Sequence, residues 1–147
     1  MIAVVQRVRA ASVTIDGQTV ASIGRGLCVL AAIVKEDTDA DLKWMTDKLS
    51  GLRVFPVDDK AFDLDVKQVG GSMLLISNFT VSAGTKRGRR PSFEPAMPPA
   101  LASVMFNQFI TLMRATGIPI ETGRFGADMT IDIQNDGPIT LIVDSRE

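Results

Sequence analysis

The stretch "IAVVQRVRAASVTIDGQTVASIG", Ile2 to Gly24, is where the fold is decided. "IAVVQRV" (Ile2–Val8) and "SVTID" (Ser12–Asp16) read as strands rich in β-branched residues. Asp16-Gly17 supplies the two positive-φ positions of a tight hairpin turn, and "QTVASIG" returns. Next, "LCVLAAIV" (Leu27–Val34) is short and continuously apolar, as expected of a central strand covered on both faces.

Working outward, the spacing predicts a helix over about Thr38–Leu52. Thr38 and Asp41 have capping-box spacing, and Leu42, Met45, Leu49 and Leu52 repeat at three and four. "LRVF" is expected to continue as a strand before Pro56, and "SMLLISNFTV" (Ser72–Val81) as another core strand. A second helix is expected over about Pro98–Thr116, with prolines in its first turn and Gly117 just past its end. Its apolar stripe is read as Leu101, Val104, Met105, Phe109, Leu112 and Met113. "MTIDIQND" and "ITLIVD" read as two paired strands joined through "NDGPIT" (Asn135–Thr140). Hairpins outnumber crossovers, so the fold class is α+β, a mainly antiparallel, barrel-like sheet with two main helices packed on it.

The chain of 147 residues is expected to be one domain spanning 1–147. A net charge of −1 leaves no global field for nucleic acid, so any anion site must come from local clustering. No charged segment followed by a long apolar run opens the chain, and no apolar run approaches membrane-spanning length. Cytoplasmic localisation is the expectation. The single cysteine, Cys28, lies in an apolar run and reads as a buried core thiol. There is no histidine. That removes Ser–His and Cys–His nucleophiles and His-containing metal sites, and with one cysteine no thiolate zinc site is expected within the chain. Chemistry here must use hydroxyls, carboxylates, Lys or Arg, backbone dipoles or the substrate's own groups.

Three segments have residue types suited to a site. In "ISNFTV", Ser77, Asn78 and Thr80 interrupt an apolar strand. By alternation Ser77 and Phe79 would face one side, Asn78 and Thr80 the other. The cluster either pairs internally or faces a site. In "GTKRGRRPSF", Lys86, Arg87, Arg89 and Arg90 place four cations in five residues. Phosphate is their natural partner, and a solvated loop is the plainer reading. In "ETGRFGADM", Glu121 to Met129, glycines flank Arg124 and Phe125. This loop could clamp a base, or be a pair of turns with Phe125 returning to the core. "NDGPIT" is open in the same way. It is either a loop closing a sheet or a rigid backbone element placed to touch something, since Pro138 cannot donate to a ladder. No glycine-rich segment fits a phosphate loop or a dinucleotide fingerprint.

Taken together, "SNFT", "TKRGRRPSF", "ETGRFGADM" and "NDGPIT", with the opening "AVVQRVRAASVTIDG", resemble the D-aminoacyl-tRNA deacylase family across essentially the whole chain. The resemblance implies a homodimeric cytoplasmic esterase that cleaves D-amino acids, and glycine, from the 3′ end of tRNA, with no metal or organic cofactor. The family's Ser-Gln-Phe-Thr motif corresponds to Ser77, Asn78, Phe79 and Thr80, the implied catalytic segment. Asn78 in place of Gln is a departure, one methylene shorter. The Gly-Pro-Val-Thr motif corresponds to Gly137, Pro138, Ile139 and Thr140. By resemblance, the Gly137–Pro138 peptide is cis and its carbonyls form a gate against L side chains in the partner subunit's pocket. Phe125 and Met129 are the further implied substrate-binding residues, and Lys86, Arg87, Arg89 and Arg90 the implied tRNA contacts. Two mechanisms fit a site without histidine. Thr80 is the nucleophile, or the ribose 2′-OH activates water while the Phe79 or Thr80 backbone N–H holds the carbonyl oxygen. The absence of histidine favours the second. A non-catalytic RNA-binding dimer is the alternative function.

Overall fold

Strand β1 runs unbroken from Ile2 to Ile15 in a computed structural model that describes residues 1–147. The two strands expected there are one. After β1 come β2 (Gln18–Ile23), β3 (Gly26–Ala32), α1 (Asp39–Ser50), β4 (Phe55–Val57), β5 (Lys60–Leu64) and β6 (Ser72–Ser77). A 3₁₀ turn (Phe79–Ser82), α2 (Pro99–Ala115), β7 (Ile120–Thr122) and β8 (Thr130–Asp144) complete the chain. The β1–β2 turn is the one the sequence predicts, with φ of +49° at Asp16 and +76° at Gly17.

The main sheet has the order β2-β1-β3-β6-β7, with β8 also paired to β1. Strand β1 is antiparallel to β2, β3 and β8. On the other flank β3–β6 and β6–β7 are parallel. The sheet is therefore mixed, though every pair made by β1 is antiparallel, and it curls into a nearly closed barrel with two helices outside. Strands β4 and β5 form a separate antiparallel ribbon. Of "LRVF", only Phe55 is in a strand, and β4 continues through Pro56. A two-stranded ribbon has free edges on which a proline forfeits no ladder bond.

Two apolar clusters share the sheet. The larger joins Ala3, Val5, Leu27, Val29, Ala31, Met73 and Leu75 to both helices. The smaller, inside the curled sheet, holds Val8, Ala11, Val13, Ile15, Cys28, Leu74 and Ile76. Strict alternation would put Val5 and Val13 on one face, yet they lie in different clusters. The pairing of β1 with β8 explains this. From Val8↔Asn135 to Ala10↔Gln134, β1 advances two residues while β8 advances one. Arg9 is the extra residue of a β-bulge, and a one-residue insertion swaps every later side chain to the other face.

Helix α1 starts as predicted. Asp41 Oδ2 accepts from the Thr38 N–H at 2.8 Å and from its hydroxyl at 2.9 Å. Leu42, Met45 and Leu49 are buried, each stabilising the fold by roughly 1.5–3 kcal/mol. In α2 the buried face is Ala102, Phe106, Phe109 and Met113. Leu101 and Val104, expected inside, are 60% and 58% exposed. The helix is rotated by about one residue from that expectation, because Phe106 and not Leu101 finds the core.

Candidate active site

Strand β6 stops at Ser77, and the chain then tightens into the 3₁₀ turn, so the strand expected over Ser72–Val81 is shorter. Alternation no longer applies beyond Ser77. Asn78 caps the turn, its side-chain Oδ1 accepting from the Thr80 N–H at 3.2 Å and from the Thr80 hydroxyl at 2.5 Å. The Asn78 N–H donates to Ala31 O at 2.8 Å, anchoring the turn to the end of β3. Phe79 opens the turn, where N–H groups have no partner within it.

This turn forms one wall of a cavity of about 700 Å³. Ser77, Asn78, Phe79 and Thr80 line it together with Phe125 and Met129. All six of these expected pocket residues therefore meet in one cavity. Phe79 and Phe125 are 54% and 38% exposed, which leaves aromatic surface at the mouth. Phe93 and Asp128 are among the lining residues that sequence reasoning missed. Phe93 packs edge-on against Phe79 at 5.1 Å between ring centroids, although its segment "PSFEPAMPP" reads only as an irregular surface loop. Asp128 is the one ionisable residue among those lining the cavity. It lies inside "ETGRFGADM", but nothing in that segment singled out its carboxylate. Cys28 is buried, and burial pushes its thiol up to about 11, so it is no nucleophile.

The basic loop leaves from the rim of this cavity. Gly84 and Ser92 exchange two backbone hydrogen bonds of 2.8 Å at its neck. Thr80 and Phe93, on either side of that neck, both line the cavity. Lys86, Arg87, Arg89 and Arg90 are exposed and take part in none of the ion pairs of the chain.

Gly137 and Pro138 are not in that cavity. The turn between two strands expected at "NDGPIT" is instead a protrusion within the single strand β8, and both halves of β8 pair with β1 rather than with each other. Between Gln6↔Thr140 and Val8↔Asn135, β1 advances two residues while β8 advances five. The extra residues bulge outward, exposing Gly137 and Pro138. The peptide between them is cis and Gly137 has φ of +122°. The neck is stapled by Asn135, whose Nδ2 donates to Arg7 O at 3.0 Å and Ile139 O at 2.9 Å. Its Oδ1 accepts from the Thr140 hydroxyl at 3.2 Å. Arg7 and Asn135 were not predicted as functional. Asn135 reads locally as turn chemistry, and only strand pairing brings Arg7 beside it.

A curled α+β sheet with an aromatic-rimmed pocket, hydroxyls on a capped turn and a basic loop at the rim has the parts of an esterase that grips a polyanion. Residues 4–144 match the D-Tyr-tRNA(Tyr) deacylase family, and the chain belongs to it. It is 50% identical over 143 residues to the D-aminoacyl-tRNA deacylase of Chlorobaculum parvum, covering 97% of this chain and 96% of the relative. It is 46% identical over 146 residues to that of Geobacter sulfurreducens, covering 99% and 96%. Among solved structures, the c-Myc DNA Unwinding Element Binding Protein superposes with a TM-score of 0.92 at 40% identity, covering 98% of each chain. A probable eukaryotic D-amino acid tRNA deacylase shares the fold, with a TM-score of 0.82 at 14% identity and 97% coverage of each chain.

Proposed function

We propose that this member of the deacylase family hydrolyses the ester joining a D-amino acid to the terminal adenosine of tRNA, and also clears glycine from mischarged tRNA. The observation that carries the reading is the meeting of the Ser77–Thr80 turn and the Phe125–Met129 segment in one cavity with the basic loop at its rim. The pocket takes the aminoacyl ester, and the loop takes backbone phosphates. Charged tRNA as substrate supports a cytoplasmic location.

Ester hydrolysis needs an activated water and a donor for the developing oxyanion. The Thr80 N–H already donates to Asn78, so of the two candidate donors the Phe79 N–H is the one assigned to the oxyanion. The ribose 2′-OH lies beside the scissile ester and activates water. No lining residue is a conventional base for Thr80 apart from the carboxylate of Asp128.

Chiral selection is assigned to backbone. The exposed Gly137–Pro138 protrusion of one protomer enters the pocket of its partner in a two-fold dimer, and its carbonyls leave no room for an L side chain. A backbone gate rejects the wrong hand without reading the varied D side chains, and glycine passes because it has no side chain to clash. The support is that a protrusion this firmly stapled contributes nothing to its own cavity.

The deciding experiment offers matched D- and L-aminoacyl-tRNA and glycyl-tRNA to the purified protein. Release of D-amino acid and glycine with the L ester left intact is expected. RNA binding with no turnover would defeat the enzyme reading in favour of a non-catalytic RNA-binding dimer.

A further inference from the structure

A shallow groove of about 470 Å³ lies at the end of α1 and shares no lining residue with the deacylase pocket. Its volume is in the range of small-molecule sites, roughly 300–1,000 Å³. Trp44, Asp47 and Lys48, spaced at three and four, line it from the helix face turned away from the core. Arg53 joins them from the segment after the helix. Trp44 is the only tryptophan of the chain and is 36% exposed, which leaves indole surface on the groove. The Lys48 ammonium lies 5.3 Å from the centre of that ring. Neither Lys48 nor Asp47 belongs to any ion pair of the chain. Arg53 is held by Asp63 through Nε and Nη2, and its Nη1 makes no hydrogen bond.

We propose that this groove binds an unpaired guanine nucleotide of RNA, its base stacked on Trp44, its Watson–Crick edge on Asp47 and its phosphate between Lys48 and Arg53. The four side chains ask for different things of one ligand. An indole face takes a flat ring, and the two cations take an anion. A carboxylate only accepts, so Asp47 needs donors and repels a bare phosphate. Guanine sets two N–H donors side by side, at N1 and N2, whereas adenine and cytosine offer one amino group and uracil one N–H. The two cations set against one carboxylate suit the single charge of a phosphodiester. Asp63 takes up part of the Arg53 charge, which weighs further against a nucleoside triphosphate. Cation–π contact is weak at an exposed site, so Lys48 is free to leave the ring for a phosphate. The inference goes beyond the deacylase reading and does not depend on it, because the groove is a second hold on RNA apart from the basic loop.

The test titrates the full chain with the short RNAs UUGU and UUUU and with GTP, following tryptophan emission corrected for absorption by the ligand. With one tryptophan and no tyrosine in the chain, that emission reports on this groove. UUGU should change it saturably and bind about tenfold tighter than UUUU, as expected for one base read by a bidentate contact. Asp47→Asn should bring the two RNAs to within about threefold of each other, because its amide offers only one acceptor oxygen. Lys48→Met should weaken both RNAs and flatten the log–log salt dependence by about 0.7. GTP should bind no tighter than UUGU. Emission that none of the three ligands changes saturably would overturn the proposal. So would equal affinity for UUGU and UUUU, an undiminished guanine preference in folded Asp47→Asn, or an unaltered salt slope in folded Lys48→Met. Binding of GTP tenfold tighter than UUGU would overturn the RNA assignment in favour of a free nucleotide.

Discussion

Arg7 Nε lies 3.1 Å from Asp136 Oδ2, one residue before the Gly137–Pro138 protrusion. The contact is an ion pair without a well-aligned hydrogen bond, since Arg7 Nε has no partner of good geometry. Arg7 Nη1 is better placed, donating to Val54 O at 2.7 Å. The guanidinium thus ties the base of the protrusion to the chain leading into β4. Asp136→Asn is expected to cost about 1–3 kcal/mol, because it leaves a mostly buried guanidinium without its countercharge. Arg9 also pairs with Asp136 but is 78% exposed, so Arg9→Ala should cost under about 1 kcal/mol. Urea denaturation of the two variants checks the order. Equal losses would mean that Arg7 does not depend on Asp136.

Gly137→Ala should damage chiral discrimination more than stability. A Cβ there would sit 2.8 Å from Ile139 Cγ1 and 3.1 Å from Arg7 Nη2, at a φ that L residues rarely adopt. The third near atom, Ile139 N at 3.1 Å, is backbone, so the strain of about 1–3 kcal/mol is expected to be relieved by shifting the protrusion itself. The ratio of D to L deacylation rates should fall while the urea midpoint moves little. An unchanged ratio would remove Gly137 from the gate.

Neutralising two of Lys86, Arg87, Arg89 and Arg90 should weaken tRNA binding and flatten its salt dependence. For every phosphate that is no longer neutralised, the log–log slope should fall by about 0.7–0.9. Folding should be untouched, since none of the four makes an ion pair. A binding titration against salt with an unaltered slope would return the loop to the plain role of a solvated surface.

Thr80→Ala should retain measurable deacylation, because activation of water is assigned to the ribose 2′-OH and not to the Thr80 hydroxyl. Mass spectrometry of wild type quenched during turnover should reveal no acyl-enzyme. An adduct on Thr80 would establish it as the nucleophile.

Acid should weaken the fold through Asp41. Burial raises its pKa, but hydrogen bonds from Ser145 and from the Thr38 backbone and side chain, with the nearby terminal ammonium, outweigh that and hold it down at about 2, below its ordinary 3.8. A carboxylate whose pKa is lowered by folding stabilises the native state above its unfolded pKa. That contribution disappears as pH falls from about 4 towards 2. Asp41→Asn should flatten stability over that window and lower it at neutral pH. An identical pH profile in the variant would assign the acid sensitivity elsewhere.

Local chemistry was enough to determine much of this protein. The Asp16-Gly17 turn, the Thr38–Asp41 helix start, the two helices and the doubly covered β3 all follow from residues adjacent in the chain. Ser77 to Thr80, Phe125 and Met129 were readable as a candidate site because their motifs resemble a family's. Only tertiary structure decided the rest. Asn-Asp-Gly-Pro has the same local chemistry in a turn and in a bulge, and it is the pairing of both halves of β8 with β1 that makes it a protrusion. The Arg9 bulge, which moves Val13 into a different core from Val5, is a matter of register between strands more than a hundred residues apart. Phe93 entered the pocket through its packing on Phe79, and Asp128 with the Phe125–Met129 segment that lines it. Propensity acts between neighbours, whereas register, bulges and pocket walls are set by contacts whose partners the local sequence cannot name.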